Sequence, residues 1–204
     1  MEYLILGYLT GLSLIFAIGA QNIFVIEQGL KKKYVFLVCA VCAISDFILI
    51  FLGIFLFHYF VRYFNSTIEL IFNIFLIIFL VHFIYSKIKS YNLKIDIKNN
   101  KIEDTFIKIF LKTLGFTYLN PHVYSDTVFF LGNFSKKFSL YDKINFGIGA
   151  SVASFIFFFT IGYLSKYLSN YAYNDKVWRV INIFIIIFMS LITFYVFKNT
   201  LNLL

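Results

Sequence analysis

Charge is what this sequence has least of. Only 14% of its 204 residues are charged, against 61% hydrophobic and 22% aromatic, and the mean hydropathy is +0.85. Soluble globular chains sit near half apolar and a quarter charged, so a soluble domain of this length is excluded. The solvent for most of the chain is lipid. Long polar stretches are missing too. The longest, about Lys87 to Lys108, is too short for a soluble domain and reads as a loop. The first apolar run has no basic n-region and no small-x-small cleavage site, and it is long enough to span, so it does not read as a cleaved signal peptide.

Metal, redox and nucleotide chemistry are equally thin. Cys39 and Cys42 form a CxxC, but it sits in an apolar run without nearby Cys or His partners and reads as small core residues. His58, His82 and His122 are scattered over three runs with no metal-ligand spacing. No GxxxxGK[ST] loop occurs, which argues against nucleotide-driven chemistry and for no cofactor. His122 and Asp126 form a pair, but no nucleophile with an oxyanion site accompanies them, so the chain does not read as an enzyme.

What is present is a series of apolar runs. They lie between Glu2 and Glu27, Lys33 and Arg62, Glu69 and Lys87, Lys112 and Lys136, Lys143 and Lys166, and Arg179 and Lys198. Each supplies about the 20 residues a helix needs to cross a bilayer, with help from flanking residues in the shorter runs. In lipid the backbone must satisfy its own polar groups, so these runs are helices. Continuous rather than alternating apolarity excludes a β-barrel. The expected fold is an all-α integral membrane protein with six spans, a single domain over 1–204.

The net charge of +8 is not a nucleic-acid signal, because its distribution follows the spans. Thirteen of the eighteen basic residues fall on one side, including Lys31 to Lys33 and the lysines between Lys87 and Lys112. The positive-inside rule puts that side, with the loop at about 87–108, in the cytoplasm and both termini outside.

The chain also resembles itself. NIFLIIF at 73–79 matches NIFIIIF at 182–188 in six of seven positions, a shift of 109. The same shift maps Ser45 onto Ser154 and Gly53 onto Gly162. Spans 2 and 3 thus recur as spans 5 and 6. Span 1 pairs with span 4 by character, since each carries a polar interruption: AIGAQN at 17–22 and YLNP at 118–121. Repeat 1 covers about 3–90 and repeat 2 about 106–200. Three spans per half invert the second half relative to the first. Inverted repeats with interrupted helices 1 and 4 are a transporter pattern with its site near the midplane.

The costly residues point to the same place. Asp46 lies midway through span 2 and Asp126 well inside span 4. An intramembrane carboxylate costs on the order of 2.5–3.5 kcal/mol by insertion scales, which makes both functional candidates. Cys39, Cys42, Asp46 and Gly53 form a stripe on span 2, and Gly147, Ser151, Ser154 and Gly162 an equivalent one on span 5. Pro121 removes a backbone donor and disfavours helix at Asn120, and Gly19 loosens span 1. Each break bares amide N–H groups that suit an anion. Gln21, Asn22 and Asn120 add neutral hydrogen-bonding groups. His122, four residues before Asp126, either relays a proton or bonds a backbone carbonyl freed by Pro121. The implied ligand has an anionic end and a cationic end, as a basic amino acid does.

Four segments carry a family resemblance: AIGAQNIFVIEQGLKKK, CAISDFILI, YLNPHVYSDTVFFLG and KVWRVIN. Together they resemble the LysE/ArgO family of basic amino-acid exporters, from about Gly11 to Asn199. The family's Gln-Asn, Ser-Asp and Leu-Asn-Pro-x-x-Tyr-x-Asp patterns fall on Gln21 and Asn22, on Ser45 and Asp46, and on Asn120, Pro121, Tyr124 and Asp126. The chain departs at Gly19-Ala20, where members often have Gly-Pro, at Tyr118, where many have Trp, and at Ser125, where Leu is common. The resemblance implies efflux of L-lysine or L-arginine from the bacterial cytoplasm across the plasma (inner) membrane, driven by the proton gradient or membrane potential. The implied substrate-binding residues are Asp46, Asp126, Asn22, Gln21, Asn120 and Ser45. Two alternatives stand beside it: export of other small amino acids, and export of a divalent metal cation by the Asp pair, whose oxygens suit a hard ion. Association into a homo-oligomer is left open.

Overall fold

The computed structural model describes residues 1–16, 19–63, 66–91, 105–172 and 175–201, and for 58–63, 69, 86–87, 89–91, 121–122, 125, 170–172, 175–178 and 199 the backbone alone. All its regular structure is helical. In chain order, α1 is Glu2–Ile15, α2 Ala20–Lys31, α3 Val35–Tyr63, α4 Ser66–Tyr91 and α5 Phe106–Tyr118. Then come α6 (Pro121–Tyr124), a π-helical turn (Ser125–Phe130), α7 (Leu131–Ser135), α8 (Leu140–Ala172) and α9 (Asp175–Leu201).

Among the described residues four helices are long and apolar enough to cross a membrane: within α3, α4, α8 and α9. The pair α1 and α2 makes a fifth if it is one span, bent by 82° between Ile15 and Ala20. The protein is thus an all-α, multi-pass membrane protein. The remaining apolar run differs from the continuous helices. It is built as α5, α6, the π turn and α7, none long enough to cross alone. Pro121 explains the first interruption. It stands at the first position of α6, where its missing N–H costs nothing, and it drives Asn120 out of helical geometry. The loop from 92 to 104 lies outside the described residues.

Burial follows lipid logic. Large apolar side chains such as Ile44, Phe47, Ile74, Ile78, Phe155 and Phe184 are exposed on the outer faces. Polar ones such as Ser45, Asp46, Thr113, Thr117, Ser151 and Ser154 are buried. Hydrocarbon solvates the former well, and the latter need hydrogen-bonding partners inside the protein. Phe116 anchors an aromatic core, stacking on Phe24 with centroids 4.7 Å apart and meeting Phe83 edge-on at 5.0 Å.

Both α1 and α2 pack on α8, α3 packs on α8, α5, the π turn and α7, and α4 packs on α9. Glycine makes several of these approaches close. A Cβ built on Gly29 would lie 2.5 Å from the Gly162 carbonyl oxygen, and one on Gly132 2.6 Å from the Gly53 oxygen. Residues 109 apart share their burial. Cys42 and Ser151, Ser45 and Ser154, and Gly53 and Gly162 are buried on α3 and α8. Asn73 and Asn182, Leu76 and Ile185, and Leu80 and Met189 are buried on α4 and α9.

Candidate functional site

A cavity of about 430 Å³ lies at the two helix breaks, within the ~300–1,000 Å³ typical of small-molecule sites. Its polar wall is Gln21 and Asn22 of α2, Asp46 of α3, Asn120 in the second break, and Asp126 and Thr127 of the π turn. Gly19 borders it at the first break. Its apolar wall includes Leu14, Ile50, Leu76, Leu131, Phe158 and Ile192. Among the described residues lining it there is no Lys or Arg.

Asp46 is 4% exposed, and its Oδ2 accepts a 2.6 Å hydrogen bond from Ser154 Oγ of α8, which is fully buried. The span 2 polar pair thus divides. Asp46 faces the cavity, while Ser45 is buried but does not line it. Ser154, the counterpart of Ser45 at the 109-residue shift, is the hydroxyl that reaches the carboxylate. The stripe on span 5 is visible in the sequence, but its hydrogen bond to Asp46 is not.

Each break is held from its far side. Asn22 Nδ2 donates across the first to the carbonyl of Ile15, the last residue of α1, at 3.1 Å. Tyr124 Oη donates across the second to the carbonyl of Tyr118, the last residue of α5, at 2.9 Å. Carbonyls at a helix C-terminus have no intrahelical donor, and these side chains supply one. Thr127 Oγ1 donates 2.5 Å to the Val123 carbonyl one turn back.

Gln21 is 6% exposed, and among the described residues its fully buried Nε2 meets no oxygen or nitrogen acceptor. It lies beside the thiol of Cys42, a weak acceptor. Gly19 precedes α2 in extended backbone (φ −111°, ψ −177°), and no side chain caps the helix. The side chain of His122, the relay candidate, lies outside the described residues, as does that of Pro121. Among the described residues no group of three or more His, Cys, Asp and Glu is placed to hold an ion. Cys39 Sγ–H instead donates to the Phe158 carbonyl at 3.2 Å.

Sequence reasoning missed three features. Tyr195 and Ile192 of α9 line the cavity, and nothing in their local sequence signals it. Asp126 sits in a π turn, where the sequence reads as ordinary helix. Glu27, which the sequence marks only as the border of a run, is 1% exposed and paired with Lys31 at 2.5 Å. Its i, i+4 spacing was there to be seen.

With this geometry in place, comparison with known proteins is informative. The family model for LysE type translocators matches residues 12–200. The chain is 31% identical over 195 residues to the arginine exporter proteins ArgO of Salmonella paratyphi A, Salmonella enteritidis and Salmonella typhimurium, covering 95% of this chain and 92% of each relative. No solved structure matches it.

Proposed function

The chain belongs to the LysE family of translocators, and from that premise we propose that it is a secondary transporter exporting a basic amino acid, L-arginine or L-lysine, across the bacterial inner membrane. The observation that carries this reading is the pair of carboxylates, Asp46 and Asp126, bordering one cavity at two helix breaks. A cationic side chain or ammonium offsets the cost of an ionised carboxylate in lipid, because an opposite charge within about 4–6 Å favours the charged form. A proton achieves the same by neutralising it. Substrate and proton therefore compete for the carboxylates, which couples export to the proton gradient or membrane potential.

The architecture in this reading is two inverted three-helix halves. Span 1 is α1 with α2, and span 4 is α5 through α7. Three features support it. Burial recurs at the 109-residue shift. The far part of each broken span meets the middle helix of the other half at a glycine pair, Gly29 with Gly162 and Gly132 with Gly53. Side chains span both breaks in the same sense. Rocking of one half against the other then alternates access to a fixed site. The lysine-rich side, with the loop between α4 and α5, faces the cytoplasm.

The test uses the full chain in liposomes loaded with labelled L-arginine. Efflux is expected to rise under an imposed proton gradient or potential and to be inhibited by excess L-lysine but not by Mn²⁺. Absence of arginine and lysine flux, with Mn²⁺ transported by the same liposomes, would replace this reading with the metal exporter.

A further inference from the structure

A buried hydroxyl on a helix commonly turns back on its own backbone. Thr113, Thr117 and Ser151 do so here, donating to the carbonyls of Ile109, Thr113 and Gly147 one turn back. Thr127 does the same with Val123. Ser154, one turn after Ser151 on α8, instead leaves its own helix and donates to Asp46 Oδ2 of α3 at 2.6 Å. A hydroxyl on a carboxylate forms a charge-assisted bond, about 2.5–2.7 Å long and roughly twice as strong as a neutral one. Ser154 is fully buried and does not line the cavity, whereas Asp46 does. The bond therefore lies behind the cavity wall, away from water.

That bond divides the carboxylate. Oδ2 is taken by Ser154. Oδ1 is not one of the sealed polar atoms without a partner, which among the described residues belong to Gln21, Glu27 and Gln28. It is left for the cavity that Asp46 borders. The terminal torsion of an aspartate is broad and two-fold, so an unheld carboxylate turns easily. A donor fixed on a neighbouring helix stops that turn, and α8 is packed firmly on α3. Phe158, one turn beyond Ser154, is part of the apolar wall. α8 thus closes the cavity with a ring and supports the cavity's acid from behind with a hydroxyl.

We propose that Ser154 is a positioning residue for cation recognition, holding the Asp46 carboxylate so that Oδ1 meets a cationic group of the substrate. This rests on the basic amino-acid reading above and deepens it. Ser154 touches no substrate and acts through Asp46. It fixes the direction of one oxygen and satisfies the other in a dry setting, where an unmatched oxygen is costly. Without the hydroxyl the carboxylate is no longer preorganised, and the substrate must order it at the expense of affinity. The loss falls on the ligand's cation and not on the rest of the molecule.

The experiment measures binding to the purified full-length protein by calorimetry. The ligands are L-arginine and two analogues that each lack one cation: L-citrulline, whose side chain is neutral, and desaminoarginine, which has no α-ammonium. Ser154→Ala is expected to weaken arginine about 10- to 100-fold, the range for a hydrogen bond to a charged group. It should weaken one analogue as strongly and leave the other unchanged, because one of the two lacks the cation that Asp46 meets. Ser154→Thr should bind arginine about tenfold more tightly than Ser154→Val, which has the same shape without the hydroxyl. Equal weakening of all three ligands, or equal arginine binding by the Thr and Val variants, would give Ser154 a packing role and overturn the proposal. So would parental arginine affinity in Ser154→Ala. Each of these leaves the exporter reading intact, whereas failure of arginine and lysine to bind the unmodified protein would overturn both. Alanine removes the hydroxyl and adds no bulk, so its comparison with the parent does not depend on the larger variants folding.

Discussion

The two breaks solve one problem with different means. At each, a helix ends against the cavity and its last carbonyl is held from beyond the gap, Ile15 by Asn22 and Tyr118 by Tyr124. At each, the chain then runs on to a glycine that meets the other half, Gly29 on Gly162 and Gly132 on Gly53. Between those fixed ends they diverge. The first break has no proline and opens onto a regular helix with bare N–H groups. The second begins with Pro121, which has no N–H to offer, and passes into a π turn. A π turn adds a residue to the turn and re-aims the side chains beyond it, and such turns concentrate at functional sites. Asp126 stands in this one. The first break therefore supplies backbone donors and the second an acid. Two breaks of like origin need not carry like chemistry.

The largest expected effect tests the acids. Asp46→Asn and Asp126→Asn keep shape and hydrogen bonding and remove the charge. Each is expected to reduce arginine efflux from liposomes at least 100-fold, while immunoblots show normal insertion. The order of magnitude follows from losing a charge-assisted contact of about 3 kcal/mol in a low-dielectric site. Asp→Glu at either position should lose less, since charge is kept and geometry is not. Asparagine variants with parental efflux would return both carboxylates to a structural role.

Next come the glycine crossings, which test whether the two halves are equivalent. Gly29→Ala sets a methyl against the Gly162 oxygen, and Gly132→Ala sets one against the Gly53 oxygen. Both obstacles are backbone, so the helices must separate. Overpacking of this kind costs about 1–3 kcal/mol. Both variants should lower the thermal unfolding midpoint in detergent by similar amounts. If one is tolerated and the other is not, the mirrored crossing is only apparent.

The sequence shows the acids and the breaks most clearly, because lipid makes polar groups expensive and they stand out. Asp46, Asp126, Gln21, Asn22 and Asn120 all line the cavity. Pro121 marks its break because proline acts locally. Ser45 shows the limit. Sequence places it next to Asp46, but adjacent residues on a helix point in different directions, and the hydroxyl that bonds Asp46 comes from α8. Only the 109-residue repeat hints at it. The π turn leaves no local signature that we recognise, and the apolar wall is drawn from Leu76, Phe158 and Ile192 on three helices, which only tertiary packing brings together. Glu27 is obscure for a similar reason. A charge at the end of an apolar run looks like a surface boundary until its partner Lys31 and the neighbouring helices are seen.

A smaller effect is expected from Tyr124→Phe, which removes the hydroxyl that holds the Tyr118 carbonyl and nothing else. A typical hydrogen bond contributes about 0.5–1.5 kcal/mol, so efflux should fall roughly two- to tenfold. Substrate affinity should change little, because Tyr124 acts on the break and does not line the cavity. A large loss of arginine affinity would instead give Tyr124 a direct share in the ligand site and weaken the contrast between the two breaks.

The smallest effect is expected at Gly19, the residue from which the sequence predicts the first break. Glycine's special freedom is for backbone in the left-handed region, and Gly19 is not there. Its φ of −111° with ψ of −177° is extended backbone that any residue adopts. Among the described residues nothing stands within 4 Å of where its Cβ would be. Alanine is a poorer cap than glycine at the start of a helix, by up to about 1 kcal/mol. Against that, alanine at a compatible backbone position restricts the unfolded chain and stabilises by about 0.4–1 kcal/mol. The two terms offset. Gly19→Ala should therefore unfold within a degree or two of the parent and keep export within about twofold. Gly19→Asp supplies the informative contrast. Its side chain caps the bare N–H groups of α2, so stability should rise, while the same carboxylate occupies the space in front of them and export should fall. Loss of export in the alanine variant would mean that the chain must leave this backbone conformation during transport, and would make the first break a moving hinge instead of a fixed opening.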